Sequence, residues 1–269
     1  MGIDEAVMRS ESASNADVVS VALLGNKQTE AGVIPKDWNV CPLRTHLKRS
    51  PSYGINAAAV PFDDLLPAYL RITDISENGR FVPAPRVSVR HLLAPSYFLS
   101  AGDLVFARTG ASVGKSYLYD PCDGPLVFAG FLIRVQPDPK RLEPVFLKYY
   151  VQSQRYWDWV RTMSIRSGQP GINGQEYGSL SVPVPEIAEQ RAIAIALADV
   201  DRLLGALERL LAKKRAVKLG AMQKLLTGRK RLPGFGGEWE VKRLGELGQF
   251  AKGKGIKKDE VVSEGIPCI

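Results

Sequence analysis

Residues 186–227 form a stretch of 42 residues with no proline and only two glycines, Gly205 and Gly220. Proline ends or kinks a helix, and here its absence coincides with apolar residues at a helical period. With Leu197, Leu204, Leu211 and Leu225 at the first heptad position, Ile193, Val200, Leu207 and Ala221 fall at the fourth. Leu203, Leu210 and Val217 widen the stripe. The pattern predicts one coiled-coil-forming helix over 186–228, with Ile193, Leu197, Val200, Leu204, Leu207, Leu211 and Leu225 as its helix–helix interface. Lys214 and Lys218 interrupt the seam in its second half, so packing there is shorter or wetter. At ~1.5 Å per residue such a helix is roughly 63 Å long. Gly228, followed by Arg229, Lys230 and Arg231, reads as its stop, and Pro233 forbids continuation.

The texture before and after this helix differs. Residues 1–30 are rich in Ser, Ala, Asn and acids and read as a mobile extension, with a short helix at 16–24. Residues 31–185 consist of short β-branched and aromatic runs cut by Pro and Gly. Strands are expected at 69–72, 86–89, 104–108, 116–119, 128–135 and 180–184, with one amphipathic helix at 144–163. This is an α+β domain with a twisted β-sheet and few helices. Beyond the long helix, Trp38-x-Val40-x-x-Leu43 recurs as Trp239-x-Val241-x-x-Leu244, and Pro67 is echoed by Pro267. Residues 229–269 therefore read as a linker and the incomplete start of a second unit, too short to bury a core of its own.

Lys plus Arg total 36 against 28 Asp plus Glu, giving a net charge of +8, which favours a polyanionic partner. The excess is local: residues 31–185 carry 17 basic and 12 acidic groups, and residues 186–231 carry 11 and 5. The helix charges are arranged as its macrodipole prefers, acids near the start and bases near the end. Only the domain's excess is thus a candidate DNA face. Three cysteines far apart and two histidines offer neither a disulfide framework nor metal-ligand spacing. The N-terminal residues lack the basic start and apolar run of a secretory signal, and no apolar run of ~18 residues occurs, so a cytoplasmic protein without a membrane partner is expected.

Three polar clusters in the domain are candidate DNA contacts. Gly110-Ala111-Ser112-Val113-Gly114-Lys115-Ser116 imitates a phosphate-binding loop but is one residue short, and a strand rather than a helix follows it. It reads better as a strand–turn–strand in which Arg108, Thr109, Ser112 and Lys115 offer donors to phosphates and base edges. A Gly- and Gln-rich loop supplies Arg166, Ser167, Gln169, Asn173 and Gln175. Arg and the amides can pair bidentately with guanine and adenine. Arg71, Thr73 and Ser76 lie where a strand leaves into a turn. An ordinary solvated hairpin is the competing reading for the first and third clusters. No Asn/Asp-Pro-Pro-aromatic cluster, nucleotide loop or nucleophile context is present, so no catalytic centre is expected.

Four segments together resemble the specificity (S) subunits of type I restriction-modification systems. The first is Val182-Pro183-Val184-Pro185-Glu186-x-x-Glu189-Gln190-Arg191-Ala192-Ile193, leading into the long helix. The second is Leu225-Leu226-Thr227-Gly228-Arg229-Lys230-Arg231-Leu232. The third is Gly236-Gly237-Glu238-Trp239-Glu240-Val241-Lys242-Arg243-Leu244-Gly245-Glu246-Leu247, and the fourth runs from Gly102-Asp103-Leu104 through Gly110 to Gly114-Lys115. The resemblance implies a target-recognition domain at 31–185 and a spacer helix at 186–228, where the family has two such pairs with antiparallel helices. It also implies double-stranded DNA, modification (methyltransferase) subunits and restriction subunits as partners. S-adenosylmethionine and ATP would belong to those partners, this chain holding no cofactor. With one complete domain, two copies are expected to pair as a homodimer. The alternative is a coiled-coil protein-interaction adaptor without DNA contact, which would favour exposed aromatics over these polar loops.

Overall fold

The computed structural model describes residues 25–165, 170–253 and 255. The chain divides into two compact units, Met1–Leu203 and Leu204–Ile269. Most of the expected N-terminal extension, and the echo at Pro267, lie outside the described residues.

As expected, the first unit is mixed α and β, and among the described residues its strands form four small sheets. β1 (Asn26–Thr29) and β2 (Gly32–Pro35) make a hairpin. β3 (Asn39–Pro42) pairs antiparallel with β12 (Ser181–Val184), joining the two ends of the domain. The first four-stranded sheet has the order β4 (Ser52–Tyr53), β11 (Leu132–Val135), β8 (Leu104–Ala107), β9 (Ser116–Leu118) and is antiparallel throughout. The second has the order β10 (Leu126–Phe128), β6 (Ala68–Leu70), β7 (Val87–Val89), β5 (Ala59–Pro61), with β10 and β6 parallel.

Strand alternation explains why β8 reads as an unbroken apolar run. Leu104 and Phe106 face a core with Leu147, Tyr156 and Tyr177, whereas Val105 and Ala107 face a second core with Leu70, Phe128 and Leu132. All four residues of β8 are fully buried because the sheet is covered on both faces. Helices α1 (Pro144–Tyr150), α2 (Gln154–Ser164) and α3 (Gly174–Ser179) supply the first of these cores.

Two expected elements are divided. The helix at 144–163 is α1 and α2, because Ser153 accepts the Tyr156 amide and starts a new helix. The strand at 128–135 is β10 and β11, with a turn in which Leu132 N–H donates to Ala129 O. The long helix α4 (Ile187–Leu225) is continuous over 39 residues, and Gly228 beyond it has φ +70°.

In the second unit, Trp239 packs on Gly228, and the Arg231 guanidinium lies 5.5 Å from the Trp239 ring centroid. Arg231 also donates to Gly236 O and Gly237 O. A single helical turn, α5 (Leu244–Leu247), follows. The two copies of the internal repeat differ in state. In the first, β3 is paired with β12 and Leu43 is fully buried. In the second, Trp239, Val241 and Leu244 are 54%, 99% and 71% exposed, and no strand forms among the described residues.

Candidate nucleic-acid interface

The β8–β9 hairpin touches segments next to the other two polar clusters. On one side, Thr109 bridges to Gly171, Gly110 N–H donates to Pro170 O, and Ile172 N–H donates to Arg108 O. On the other, Lys115 Nζ lies 2.7 Å from Glu77 Oε1, and Gly79 approaches the backbone of Ser116. Segments distant in sequence, 77–79 and 170–172, thus both contact this hairpin. The hairpin is pinned from below by the buried Tyr156, whose hydroxyl donates to Gly114 O at 2.6 Å. Gly114 has φ +88°, and a Cβ there would meet Val160 at 2.7 Å.

The candidate side chains are not equally free to contact a ligand. Arg71 is held by Asp74, with Nε to Oδ2 at 3.0 Å and Nη2 to Oδ1 at 2.7 Å, and donates further to Pro85 O. The hydrogen bond to Asp74 raises the Arg71 pKa above its ordinary value, and Asp74 is 1% exposed, so this pair braces the fold. Ser76 bonds to Asn78 and Arg80 O, and Lys115 is neutralised by Glu77. Asn173, expected in a base-reading loop, is instead the N-cap of α3, its Oδ1 accepting from Glu176 N–H and its own N–H donating to Glu176. Thr73 and Gln175 are exposed, and Thr109 and Ser112 are half-buried. Arg166, Ser167 and Gln169 lie outside the described residues.

Arg108 is different. Its guanidinium lies 4.9 Å from the centroid of the Tyr53 ring, and its Nε is buried with no hydrogen-bond partner among the described residues. Tyr53 in turn accepts the Gly174 N–H at 3.1 Å and lines a cleft of about 790 Å³ together with Arg44, Ser50, Pro51 and Gln175. Arg44, and Lys48 and Arg49 further along the same segment, are exposed. Neither these three nor Tyr53 belongs to the clusters expected from the sequence, although clustered basic residues are themselves a nucleic-acid signal. His46, within that segment, is buried, and desolvation, with Arg141 adding to it, lowers its pKa from the ordinary 6.5 against the opposing pull of Asp138.

Along α4, Leu197, Val200, Leu204, Leu207 and Leu211 are 40–53% exposed. Ile193 packs on the domain core, and Leu225 joins Leu232, Phe235 and Trp239, so both ends of the expected interface are engaged within the chain. The start of α4 is tied to the domain by Gln190, which is fully buried. It accepts from Glu143 N–H at 2.8 Å and donates to Pro185 O at 2.9 Å and Arg141 O at 3.1 Å. Tyr149 donates to Asp201 at 2.9 Å, and burial with that contact pushes its pKa up to about 12. Among the described residues no group of three or more His, Cys, Asp or Glu is placed to hold a metal, and no helix is long and apolar enough to cross a membrane.

The first unit is mixed α and β, and the chain carries a long helix with an exposed apolar stripe. A solved chain from a study of the assembly and conformational transition of a type I restriction-modification system matches with TM-score 0.51 and 20% identity. The match covers 80% of this chain and 55% of that one. Among curated proteins, a Methanocaldococcus jannaschii chain assigned as the MjaX type I restriction enzyme specificity subunit is 25% identical over 264 residues, covering 90% of this chain and 61% of its own length. The StySPI specificity subunit of Salmonella potsdam is 27% identical over 250 residues, covering 86% and 53%. No family model matches the chain. The chain is similar to type I restriction enzyme specificity subunits, and it spans between half and two thirds of the length of these curated proteins.

Proposed function

We propose that this chain is a non-catalytic DNA-specificity subunit of a type I restriction-modification enzyme, acting in the cytoplasm. Its first unit reads one half of a bipartite double-stranded site. Two copies pair through antiparallel α4 helices, so that two recognition domains address the two halves of the site. Modification subunits, carrying S-adenosylmethionine, methylate adenine at the addressed site, and restriction subunits, using ATP, join them for cleavage. The observation that carries the reading is the alignment of 86–90% of the chain with proteins named as specificity subunits. The pairing is supported by the exposed stripe Leu197, Val200, Leu204, Leu207 and Leu211, a form of surface that isolated chains seldom leave uncovered.

The test combines light scattering with selection from a random duplex pool, each with and without modification subunits. A dimer at micromolar concentration and an enriched, interrupted palindrome are expected. A strict monomer under both conditions refutes the pairing, and an unenriched pool refutes DNA reading.

A further inference from the structure

The cleft beside Tyr53 is bordered by an aromatic ring that carries an arginine against its face. Along β8 the inward row Leu104, Phe106 continues past the strand end to Arg108, so an arginine occupies the next position of an otherwise apolar row. The partly buried Arg71 and Arg134 of this unit are tied by hydrogen bonds. Arg71 is held by Asp74, and Arg134 donates to Ser52 and Phe98 O, with Asp103 3.7 Å away. Arg108 instead lies over the Tyr53 ring, and its Nε is buried without a partner among the described residues. Among the described residues the orientation of this guanidinium is therefore set by the Tyr53 ring rather than by a hydrogen bond at Nε. Tyr53 is 43% exposed yet fixed at its hydroxyl by Gly174 N–H.

The electrostatics agree with a polyanionic occupant. The clefts of about 450 and 640 Å³ carry Asp120 and Asp123, and Asp63 and Asp64, respectively, whereas the 790 Å³ cleft has Arg44 and Gln175 and no carboxylate in its lining.

Building on the DNA-reading function proposed above, we infer that Arg108, stacked on the Tyr53 ring that borders this cleft, reads the major-groove edge of a guanine, with Tyr53 as its positioning residue. The terminal Nη groups of Arg108 donate to O6 and N7, a bidentate pairing that discriminates against other bases by about tenfold or more. Stacking on Tyr53 holds the planar fork in one orientation, so less freedom is lost on binding. Arg44, at the cleft mouth, faces the phosphate backbone. The assignment separates base reading, at Arg108, from charge neutralisation, at Arg44.

The test uses the full chain with modification subunits present and a random duplex pool as probe. Wild type, Arg108→Lys, Tyr53→Leu and Tyr53→Phe are compared, their folding checked by thermal melting. Arg108→Lys and Tyr53→Leu are expected to lose discrimination about tenfold or more at the same guanine. Tyr53→Phe, which keeps the ring, should retain the wild-type motif, and neither Tyr53 variant should alter the salt dependence of affinity. Undiminished discrimination at every position by Arg108→Lys overturns the assignment of Arg108. A wild-type motif from a folded Tyr53→Leu, or equal loss in Tyr53→Phe, overturns the positioning role. A wild-type pool without enrichment instead refutes DNA reading, and this assignment falls with it.

Discussion

Replacing Gln190 by methionine tests whether the motif at the start of α4 exists to clasp the helix to the recognition domain. Methionine nearly matches glutamine in length and volume, so packing is retained while three hydrogen bonds disappear: those to Glu143 N–H, Pro185 O and Arg141 O. A typical intramolecular hydrogen bond contributes about 1 kcal/mol net, so the three together give a loss of about 3 kcal/mol. In a domain of this size each kcal/mol lowers Tm by roughly 2–4 °C, and a fall of roughly 6–12 °C is expected. Gln190→Glu should be worse near neutral pH, because a buried carboxylate accepts but cannot donate to the two carbonyls. Its defect should shrink as pH falls and the carboxylate protonates. Denaturant melts followed by tryptophan fluorescence report the unfolding of this unit. A loss for Gln190→Met below about 1 kcal/mol, the worth of a single such bond, would refute the clasp and leave Gln190 a space-filling residue.

Other expected outcomes follow from single contacts. Gly114→Ala combines φ +88° with a 2.7 Å approach to Val160, and should destabilise by about 2–4 kcal/mol in the same melts. His46 has its folded-state pKa depressed by burial. Its unfolded form therefore takes up protons first, and its effect on stability is absent above pH ~6.5 and increasingly unfavourable as pH falls below it. His46→Gln should flatten that part of the stability–pH curve, and an unchanged curve would show that His46 does not set it. Leu204→Glu with Leu211→Glu places charge on the exposed stripe of α4 and should convert the proposed dimer to monomer by light scattering without lowering the Tm of the first unit. Charge reversal at Arg44, Lys48 or Arg49 should reduce the slope of log affinity against log salt by roughly one for each phosphate that is no longer neutralised, measured by titration of duplex DNA at several salt concentrations.

The parts legible in the sequence are those whose signal repeats. Helix α4 is evident because its apolar period runs over many turns and ends at Gly228, which adopts the positive φ that its position suggests. Strand β8 is evident because burial on both faces demands a continuous apolar run. The break between α1 and α2 is hidden, since Val151 and Tyr156 preserve the apolar period while Ser153 restarts the helix. The segment forming helix α3 reads as a loop because glycine at 174 and 178 argues against helix. The Asn173 and Glu176 capping box is the opposing cue. Strands of two to four residues, such as β4 at Ser52–Tyr53, hold too few alternations to register. The donor character of Arg108 is visible locally. Its pairing with Tyr53 is not, because it depends on β11 lying between β4 and β8.

The antiparallel pairing of β3 with β12 carries a consequence for how such a protein changes over generations. The chain enters the recognition domain at Asn39–Pro42 and leaves at Ser181–Val184 through the same doorway, and Leu43 N–H to Leu180 O extends the latch by one bond. A module whose ends meet is a cassette. The backbone pairing of the doorway does not depend on which side chains line the cleft, so an insert of different length between the two strands is compatible with the same latch. In the function proposed above, a new DNA address would then require neither a new helix nor a new partner, only a new insert between two short strands.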